Sequence, residues 1–293
     1  MTSRTPTLEL RDLTRRFTTF ELGPVSLDLE PGEVYGLLGA NGAGKTTLMD
    51  LIALQLRPSG GCLRHDGATI AWAETAWKTR FSYVREVPAF YDELTVGQTL
   101  RLAGRLYERW DAALSARLVD RLGLRPDQPV AHLSRGTRVK LGLASALAAR
   151  VALLILDEPT AGLDPSARAE LHATLAALVA EHPSLCVILS SHLFDDIETS
   201  ATQICMLRRG QMVLRTRVEA VSDARVFRTA SEGRLPPYQH AITAWRHRRI
   251  DWAVVEAGSA ADLALRDTTG VIEEHPSSIL ATIYHGLEHA DGD

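Results

Sequence analysis

Residues 39–47 (Gly-Ala-Asn-Gly-Ala-Gly-Lys-Thr-Thr) have the residue types and the spacing of a phosphate-binding loop. Glycines let backbone N–H groups approach an anion without an intervening side chain, and the following helix turns the positive end of its dipole toward that anion. Lys45 supplies a point charge for the β- and γ-phosphates of a nucleotide, and the Thr46 hydroxyl can ligate the Mg²⁺ that bridges them. The sequence therefore predicts a nucleotide site here. The residues expected to contact the nucleotide are Gly39, Asn41, Gly42, Ala43, Gly44, Lys45, Thr46 and Thr47.

The segments on either side of the loop are those that such a site needs. Residues 34–38 form a short apolar run that predicts a buried strand, and residues 46–56 carry leucine and isoleucine at helical spacing. A glycine-rich turn with a chance lysine is the alternative interpretation. The strand–loop–helix context argues against it.

Two adjacent carboxylates follow a second apolar run, residues 151–156, which predicts a parallel strand buried on both faces. Such a pair is costly to desolvate unless it is used. Asp157 suits Mg²⁺, usually through water, and Glu158 suits the general base that activates a water for attack on a γ-phosphate. The next apolar run, residues 185–190, leads to His192, which we expect to sense or orient the γ-phosphate. A solvated strand end and a structural histidine are the alternatives.

Three weaker features lie outside these runs. Ser134 or Thr137 can cap the long helix that follows, and Gly136 leaves N–H groups accessible to a second anion, although an ordinary cap is the better interpretation of these residues alone. Asp164, followed by a proline, predicts a helix N-cap. Phe17 is a candidate for stacking on a nucleobase, with Phe20 a weaker one and a core aromatic as the alternative for both.

The sequence resembles the nucleotide-binding subunit of an ABC transporter over residues 7–215. The resemblance rests on five motifs in a fixed order, namely the phosphate loop and residues 133–136, 156–159, 162–165 and 190–192. The resemblance implies an α/β fold of the P-loop NTPase class, an ABC cassette with an antiparallel β subdomain. The largely helical stretch at about 96–150 predicts an inserted helical subdomain. We expect the cassette to span residues 1–215 and a small α+β accessory region to span residues 216–293.

The resemblance also implies ligands and partners. ATP and Mg²⁺ would bind between two chains, paired head to tail, the second being the same chain or a related ATPase. Each ATP would lie between the phosphate loop of one chain and the signature segment, residues 133–138, of the other. Ser134 and Gly136 would then contact the γ-phosphate across the interface, Asp164 would lie near the dimer axis, and His192 would hold the γ-phosphate. Glu86 falls where the family usually carries a glutamine that senses Mg²⁺ and the membrane partner.

Two departures from the family pattern stand out. The signature segment is usually Leu-Ser-Gly-Gly-Gln, and Arg135 and Thr137 replace its third and fifth residues here. Glu86 replaces the glutamine and brings a negative charge near the metal, which could slow or retune turnover. Both variants resemble those of exporter-type subunits.

Composition gives no global sign of nucleic-acid binding, since the net charge is −4. No run approaches the roughly 18 apolar residues of a membrane span, and the N-terminus lacks the apolar stretch of a secretory signal. We therefore expect a cytoplasmic protein, peripheral on the inner face of the cell membrane, that drives a separate membrane-spanning permease. The basic cluster at residues 246–249 is interpreted as a solvated face, with contact to an anionic surface as the alternative.

Other functions remain open at this point. A GTPase is disfavoured because the guanine-reading Asn-Lys-x-Asp motif is absent. A soluble ABC-type ATPase of translation or DNA repair predicts two cassettes or a long coiled coil, and neither is present in the sequence. An ATP-gated regulatory subunit without turnover stays conceivable because of Glu86 and Thr137.

Overall fold

The computed structural model describes residues 5–72, 74–86, 88–229, 235, 241–247, 249–266, 268, 271–276 and 278–290, and the structural statements below concern these residues. The strands are, in chain order, β1 Leu8–Arg16, β2 Glu21–Leu29, β3 Val34–Leu38, β4 Gly60–His65, β5 Ala68–Thr69, β6 Phe81–Val84, β7 Leu153–Asp157, β8 Cys186–Ser190, β9 Gln203–Arg208, β10 Gln211–Arg217, β11 Ala224–Thr229, β12 Thr243–His247, β13 Ile250–Glu256 and β14 Val271–Glu274. The helices are α1 Lys45–Ile52, α2 Thr75–Lys78, α3 Val96–Leu106, α4 Ala112–Arg121, α5 Arg135–Ala148, α6 Pro165–Glu181, α7 Phe194–Ser200, α8 Val218–Ser222, α9 Ala260–Arg266 and α10 Ile279–Glu288, with a 3-10 turn at Val130–His132.

A six-stranded sheet, in the order β10-β9-β3-β8-β7-β6, forms the centre of the molecule. Its strands from β9 to β6 are parallel, and β10 joins as the antiparallel arm of a hairpin. Every residue of β3, β7 and β8 is buried, as continuous apolar runs in parallel sheets require. The α/β prediction is confirmed, and the carboxyl ends of β3, β7 and β8 meet at one edge of the sheet, where ligands of such folds bind.

A four-stranded antiparallel sheet, β2-β1-β4-β5, covers α1. Residues of β1 alternate between buried and partly exposed, with Leu8 and Leu10 inside, as their spacing predicts. Helix α1 ends at Ile52, earlier than the predicted residue 56. The N–H groups of Gln55 and Leu56 both donate to the Asp50 carbonyl, which closes the helix in a turn.

The chain leaves the central sheet after β6 and returns at β7, its neighbour in the sheet. Helices α3, α4 and α5 fill the intervening stretch, so it is an insertion between two adjacent parallel strands. Residues 95–98 (Thr-Val-Gly-Gln) have the sequence form that predicts a capping box at the start of α3. The box is present, because Thr95 and Gln98 each bond the backbone of the other.

Residues after α8 build a second four-stranded antiparallel sheet, β12-β13-β11-β14, with α9 and α10. The sequence predicts only a strand at 252–255 and a helix after residue 276 in this region; Ser277 lies outside the described residues. One apolar cluster includes Leu214, Val221, Val254 and Leu280, and it therefore continues across the predicted boundary at residue 215. The division into a cassette and an accessory region stays a prediction.

Within the described residues, none of the helices is both long and apolar enough for a membrane crossing.

Candidate functional site

A cleft of about 430 Å³ opens at the carboxyl edge of the central sheet. The phosphate loop forms one wall, and the residues that follow β6 and β7 form the other. The cleft is lined by Phe20, Ala40, Asn41, Gly42, Gly44, Lys45, Thr46, Thr47, Glu86, Asp157 and Glu158. Most of the residues predicted to contact a nucleotide are therefore in one place.

Two glycines of the loop have backbone angles that favour glycine, with φ of 82° at Gly42 and 110° at Gly44. Gly44 is also the N-cap of α1, so the loop turns directly into the positive end of that helix. Within the described part of the chain, α1 has no side-chain hydrogen bond that caps its N-terminus. The backbone here has the geometry that an anion site needs.

Lys45 is an ionisable residue that is only 7% exposed. Its Nζ donates to the carbonyl oxygen of Gly39 at 2.6 Å and lies 3.9 Å from Oε1 of Glu158. Burial lowers the pKa of Lys45, and the carboxylates of Glu158 and Asp157 partly oppose that shift. The ammonium group is thus held at the loop by backbone acceptors and nearby acids.

The Asp157 carboxylate accepts hydrogen bonds from three hydroxyl groups. Thr46 Oγ1 donates to Oδ2 at 3.2 Å, Tyr83 donates to Oδ2 at 3.4 Å, and Ser190 Oγ donates to Oδ1 at 2.8 Å. The Thr46 hydroxyl and the Asp157 carboxylate are adjacent hard oxygen donors, which suit Mg²⁺. The described part of the chain has no group of three or more His, Cys, Asp or Glu side chains placed to hold a metal. A Mg²⁺ ion fits this site if phosphate oxygens and water complete its coordination.

Glu158 and His192 are in direct contact, with His192 Nδ1 2.7 Å from Oε2 of Glu158. The N–H of Glu158 donates to Ser190 Oγ at 2.9 Å, so this one hydroxyl holds both acids of the strand end. Glu158 has a φ of 47°, which is uncommon for a residue other than glycine. Strain of this kind concentrates at functional sites.

Ser134, Gly136 and Asp164 do not line this cleft. The Ser134 side chain caps α5 by accepting from the N–H of Thr137, and Asp164 caps α6 by accepting from the N–H of Ala167 at 3.0 Å. Both caps match the sequence prediction. Contacts of these residues with a nucleotide on a second chain stay a prediction.

The structure brings Phe20 rather than Phe17 to the cleft wall. A Cβ on Gly44 would lie 3.1 Å from Cζ of Phe20, so the Phe20 ring packs against the loop at this glycine. Phe17 is 44% exposed, its ring centre is 6.1 Å from that of Phe20, and the Arg15 guanidinium lies over it at 5.1 Å. Phe17 is therefore not part of the cleft lining, and stacking of a base on it stays a prediction.

A buried polar cluster behind the site is absent from the sequence predictions. Asp196 is fully buried and accepts hydrogen bonds from Thr160 at 2.6 Å and Ser191 at 2.7 Å, and it lies 2.8 Å from Nε2 of His172. Burial alone would raise the pKa of Asp196, but these bonds, led by that of His172, lower it to about 2. Because the partners are 24, 36 and 5 residues away, local sequence patterns carry no signal for this cluster. It joins the segment after Glu158 to the segment before His192.

Comparison with known proteins agrees with this geometry. Residues 22–161 match the model of the family described as "ABC transporter". The chain is 33% identical over 201 residues to the ABC transporter ATP-binding protein YtrB of Bacillus subtilis, covering 68% of each chain. It is 30% identical over 228 residues to the Nod factor export ATP-binding protein I of Cupriavidus pinatubonensis, covering 76% of this chain and 70% of that one.

A solved structure described as the ATP-binding subunit of an ABC transporter shares the fold. Its TM-score is 0.66 at 29% identity, over 73% of this chain and 91% of that chain. The matched segment contains the phosphate loop, Asp157 and Glu158, which meet in the cleft. The chain belongs to the ABC transporter family and is one of its ATP-binding proteins.

Proposed function

We propose that the chain is the ATP-hydrolysing subunit of an exporter and that it works on a separate membrane-spanning partner from the inner face of the cell membrane. The observation that carries the proposal is the contact of His192 with Glu158, a residue of the cleft lining whose Oε1 lies 3.9 Å from Nζ of Lys45. A carboxylate, an imidazole and a lysine around a phosphate loop form a set suited to hydrolysis as well as to binding.

The residues divide the work as follows. Lys45 and the backbone N–H groups of the loop bind the β- and γ-phosphates. Thr46 and Asp157 would hold Mg²⁺, which supplies positive charge to the phosphate oxygens. Glu158 takes a proton from the attacking water, whose oxygen bonds to the γ-phosphorus as the bond to the β,γ-bridging oxygen breaks, giving ADP and phosphate. His192 orients Glu158 and the water. Glu86, which lines the cleft on the same wall as Glu158, is the proposed sensor of the metal and of the partner.

The head-to-tail dimer belongs to the same proposal. Ser134 and Gly136 lie at the start of α5 and do not line the cleft of their own chain, and we assign them to the γ-phosphate of a second chain. Asp164, at the start of α6, would lie near the dimer axis. Export as the direction of transport is supported by similarity to the Cupriavidus relative, which is named Nod factor export ATP-binding protein I.

Substitution of Glu158 by Gln tests the hydrolytic assignment. The variant is expected to bind ATP, to lose turnover and to accumulate an ATP-bound dimer, because the amide fills the same space but cannot take the proton. Glu181→Gln is the matched control, since Glu181 pairs with Arg121 on the outside of the helical insertion. Undiminished hydrolysis by the Glu158 variant would remove the general-base role, and a chain without any turnover would favour an ATP-gated regulatory subunit.

A pull-down tests the partner. The tagged chain would be recovered from a mild-detergent extract of its native cells, and the co-purifying proteins would be identified by mass spectrometry. A polytopic membrane protein at near-stoichiometric yield is expected. Recovery of ribosomes or nucleic acid instead would favour a soluble ATPase.

A further inference from the structure

Two of the three residues that depart from the family pattern, Glu86 and Arg135, contact each other. Nη2 of Arg135 lies 3.4 Å from Oε1 of Glu86 and 3.3 Å from the carbonyl oxygen of Glu158. Arg135 is the first residue of α5, whereas Glu86 follows β6 and lines the cleft. One guanidinium group therefore connects the signature helix with two segments of its own cleft, the one after β6 and the one after β7.

The surroundings of Arg135 hold the guanidinium in this place. Its side chain is 29% exposed, compared with 56% for Glu86. A Cβ on Gly162 would lie 3.5 Å from Nη1 of Arg135, so the group packs against the loop that leads to α6. Nε of Arg135 is buried and has no hydrogen-bond acceptor among the described residues. Both polar contacts thus come from Nη2, and packing supplies the remaining restraint.

The charges around the cleft show what this contact does. Asp157, Glu158 and Glu86 all line the space that would receive the triphosphate, and Lys45 is the cation among the lining residues. A glutamine at position 86 would be neutral, whereas a glutamate repels a nucleotide unless its charge is offset. The guanidinium of Arg135 is the cation placed beside it. The arginine at position 135 therefore compensates for the glutamate at position 86.

We propose that Arg135 acts within its own chain as a positioning residue that offsets the charge of Glu86 beside the nucleotide and holds the backbone of Glu158. The charge role requires only that the cleft binds ATP. The effect on Glu158 rests on the proposed function, because it concerns turnover.

A double-mutant cycle on nucleotide affinity tests the charge role. The probe is a fluorescent ATP analogue in EDTA, with the protein at concentrations where gel filtration shows a monomer. Arg135→Ala is expected to weaken binding about three- to five-fold, the range for a partly exposed ion pair. Adding Glu86→Gln to that variant is expected to restore the affinity of the unmodified chain. An Arg135 variant with unchanged affinity, or a double variant as weak as the single one, would overturn the charge role.

The monomer condition and a control pair make the result specific. A loss seen only in the dimer would show that Arg135 acts on the nucleotide of the other chain and would overturn the contact within one chain. The control is Arg121→Ala, alone and with Glu181→Gln, which removes a 2.7 Å ion pair between two residues outside the cleft lining. Both control variants are expected to bind the ATP analogue as tightly as the unmodified chain. Circular dichroism melts confirm that each variant is folded before it enters the cycle.

Arg135→Lys separates positioning from charge. Lysine keeps the positive charge but lacks the planar guanidinium that packs against the loop at Gly162 and holds Nη2 beside its two acceptors. Nucleotide affinity is expected to stay within two-fold, while kcat falls about three- to ten-fold because the backbone of Glu158 loses its restraint. An unchanged kcat would overturn the positioning role. Absence of hydrolysis in the unmodified chain would overturn the proposed function and this role together, and the affinity cycle would still decide the charge role.

Discussion

Nδ1 of His192 lies 2.7 Å from Oε2 of Glu158, although the two residues are 34 positions apart. They meet because β7 and β8 are neighbours in a parallel register that pairs Asp157 with Ser190. Each catalytic candidate follows one of these paired residues at the same edge of the sheet.

Removal of this contact is the first prediction. His192→Ala is expected to lower kcat by about 10²-fold, because Glu158 loses the group that orients it, and to leave nucleotide affinity within a few-fold. Steady-state hydrolysis and nucleotide titration measure the two effects. A variant that loses affinity and keeps kcat would show that His192 serves binding alone.

Lys45 gives the second prediction. Lys45→Met keeps the unbranched apolar stem of the side chain and removes the charge, so nucleotide affinity is expected to fall at least about ten-fold. The folded protein is expected to become no less stable, because a buried ammonium group is replaced by an apolar one. Nucleotide titration and urea unfolding of the same preparation check both parts. Retained affinity would mean that the backbone of the loop suffices for binding.

Asp196 gives a prediction for stability as a function of pH. Its pKa is about 2 in the folded protein, below the ordinary value of 3.8, so the unfolded chain binds the proton more tightly. The contribution of this carboxylate is therefore fully present above about pH 5 and is lost as the pH falls toward 2. It amounts to about 2 kcal/mol.

The measurement is the urea midpoint of the chain and of Asp196→Asn between pH 7 and pH 3. The difference between the two proteins is expected to stay constant down to about pH 5 and then to shrink. Asp127→Asn, which removes an exposed carboxylate of a surface ion pair, is the control and should follow the unmodified chain. A difference that persists unchanged at pH 3 would contradict the folded-state pKa.

Gly286 gives a prediction for the C-terminal packing. A Cβ at this position would lie 2.1 Å from the ring of Trp245, which is itself stacked on Trp252 with the ring centres 5.8 Å apart. Gly286→Ala is expected to destabilise the fold by about 1–3 kcal/mol, although alanine is the better helix former by about 1 kcal/mol. Thermal unfolding followed by tryptophan fluorescence tests this. A stabilised variant would show that α10 does not pack on these rings.

The sequence predicts the parts of this fold that local patterns encode. The phosphate loop, the buried runs of β7 and β8, and the caps at Thr95 and Asp164 follow from residue types and short spacings. Contacts between residues that are far apart in the chain do not follow from such patterns. The contact of Arg135 with Glu86 spans 49 positions, and that of Asp196 with Thr160 spans 36, so no periodicity reveals either.

Orientation within short elements is also beyond the sequence. Phe17 and Phe20 are three residues apart, and the turn between β1 and β2 decides which of them faces the cleft. In the C-terminal region, β12 pairs with β13 across a short turn, but β11 pairs with β13 and β14, which are far along the chain. Helix α10 packs against β11 and β12. No local pattern in the sequence indicates that Trp245 packs against this helix at Gly286.

The most direct test is the turnover of Glu158→Gln, His192→Ala and the double variant, each at saturating ATP. Residues that act as one unit give losses that do not multiply, so the double variant is expected to be no slower than Glu158→Gln alone. Losses that multiply would show that Glu158 and His192 act independently, and they would contradict the hydrolytic pair on which the proposed function depends.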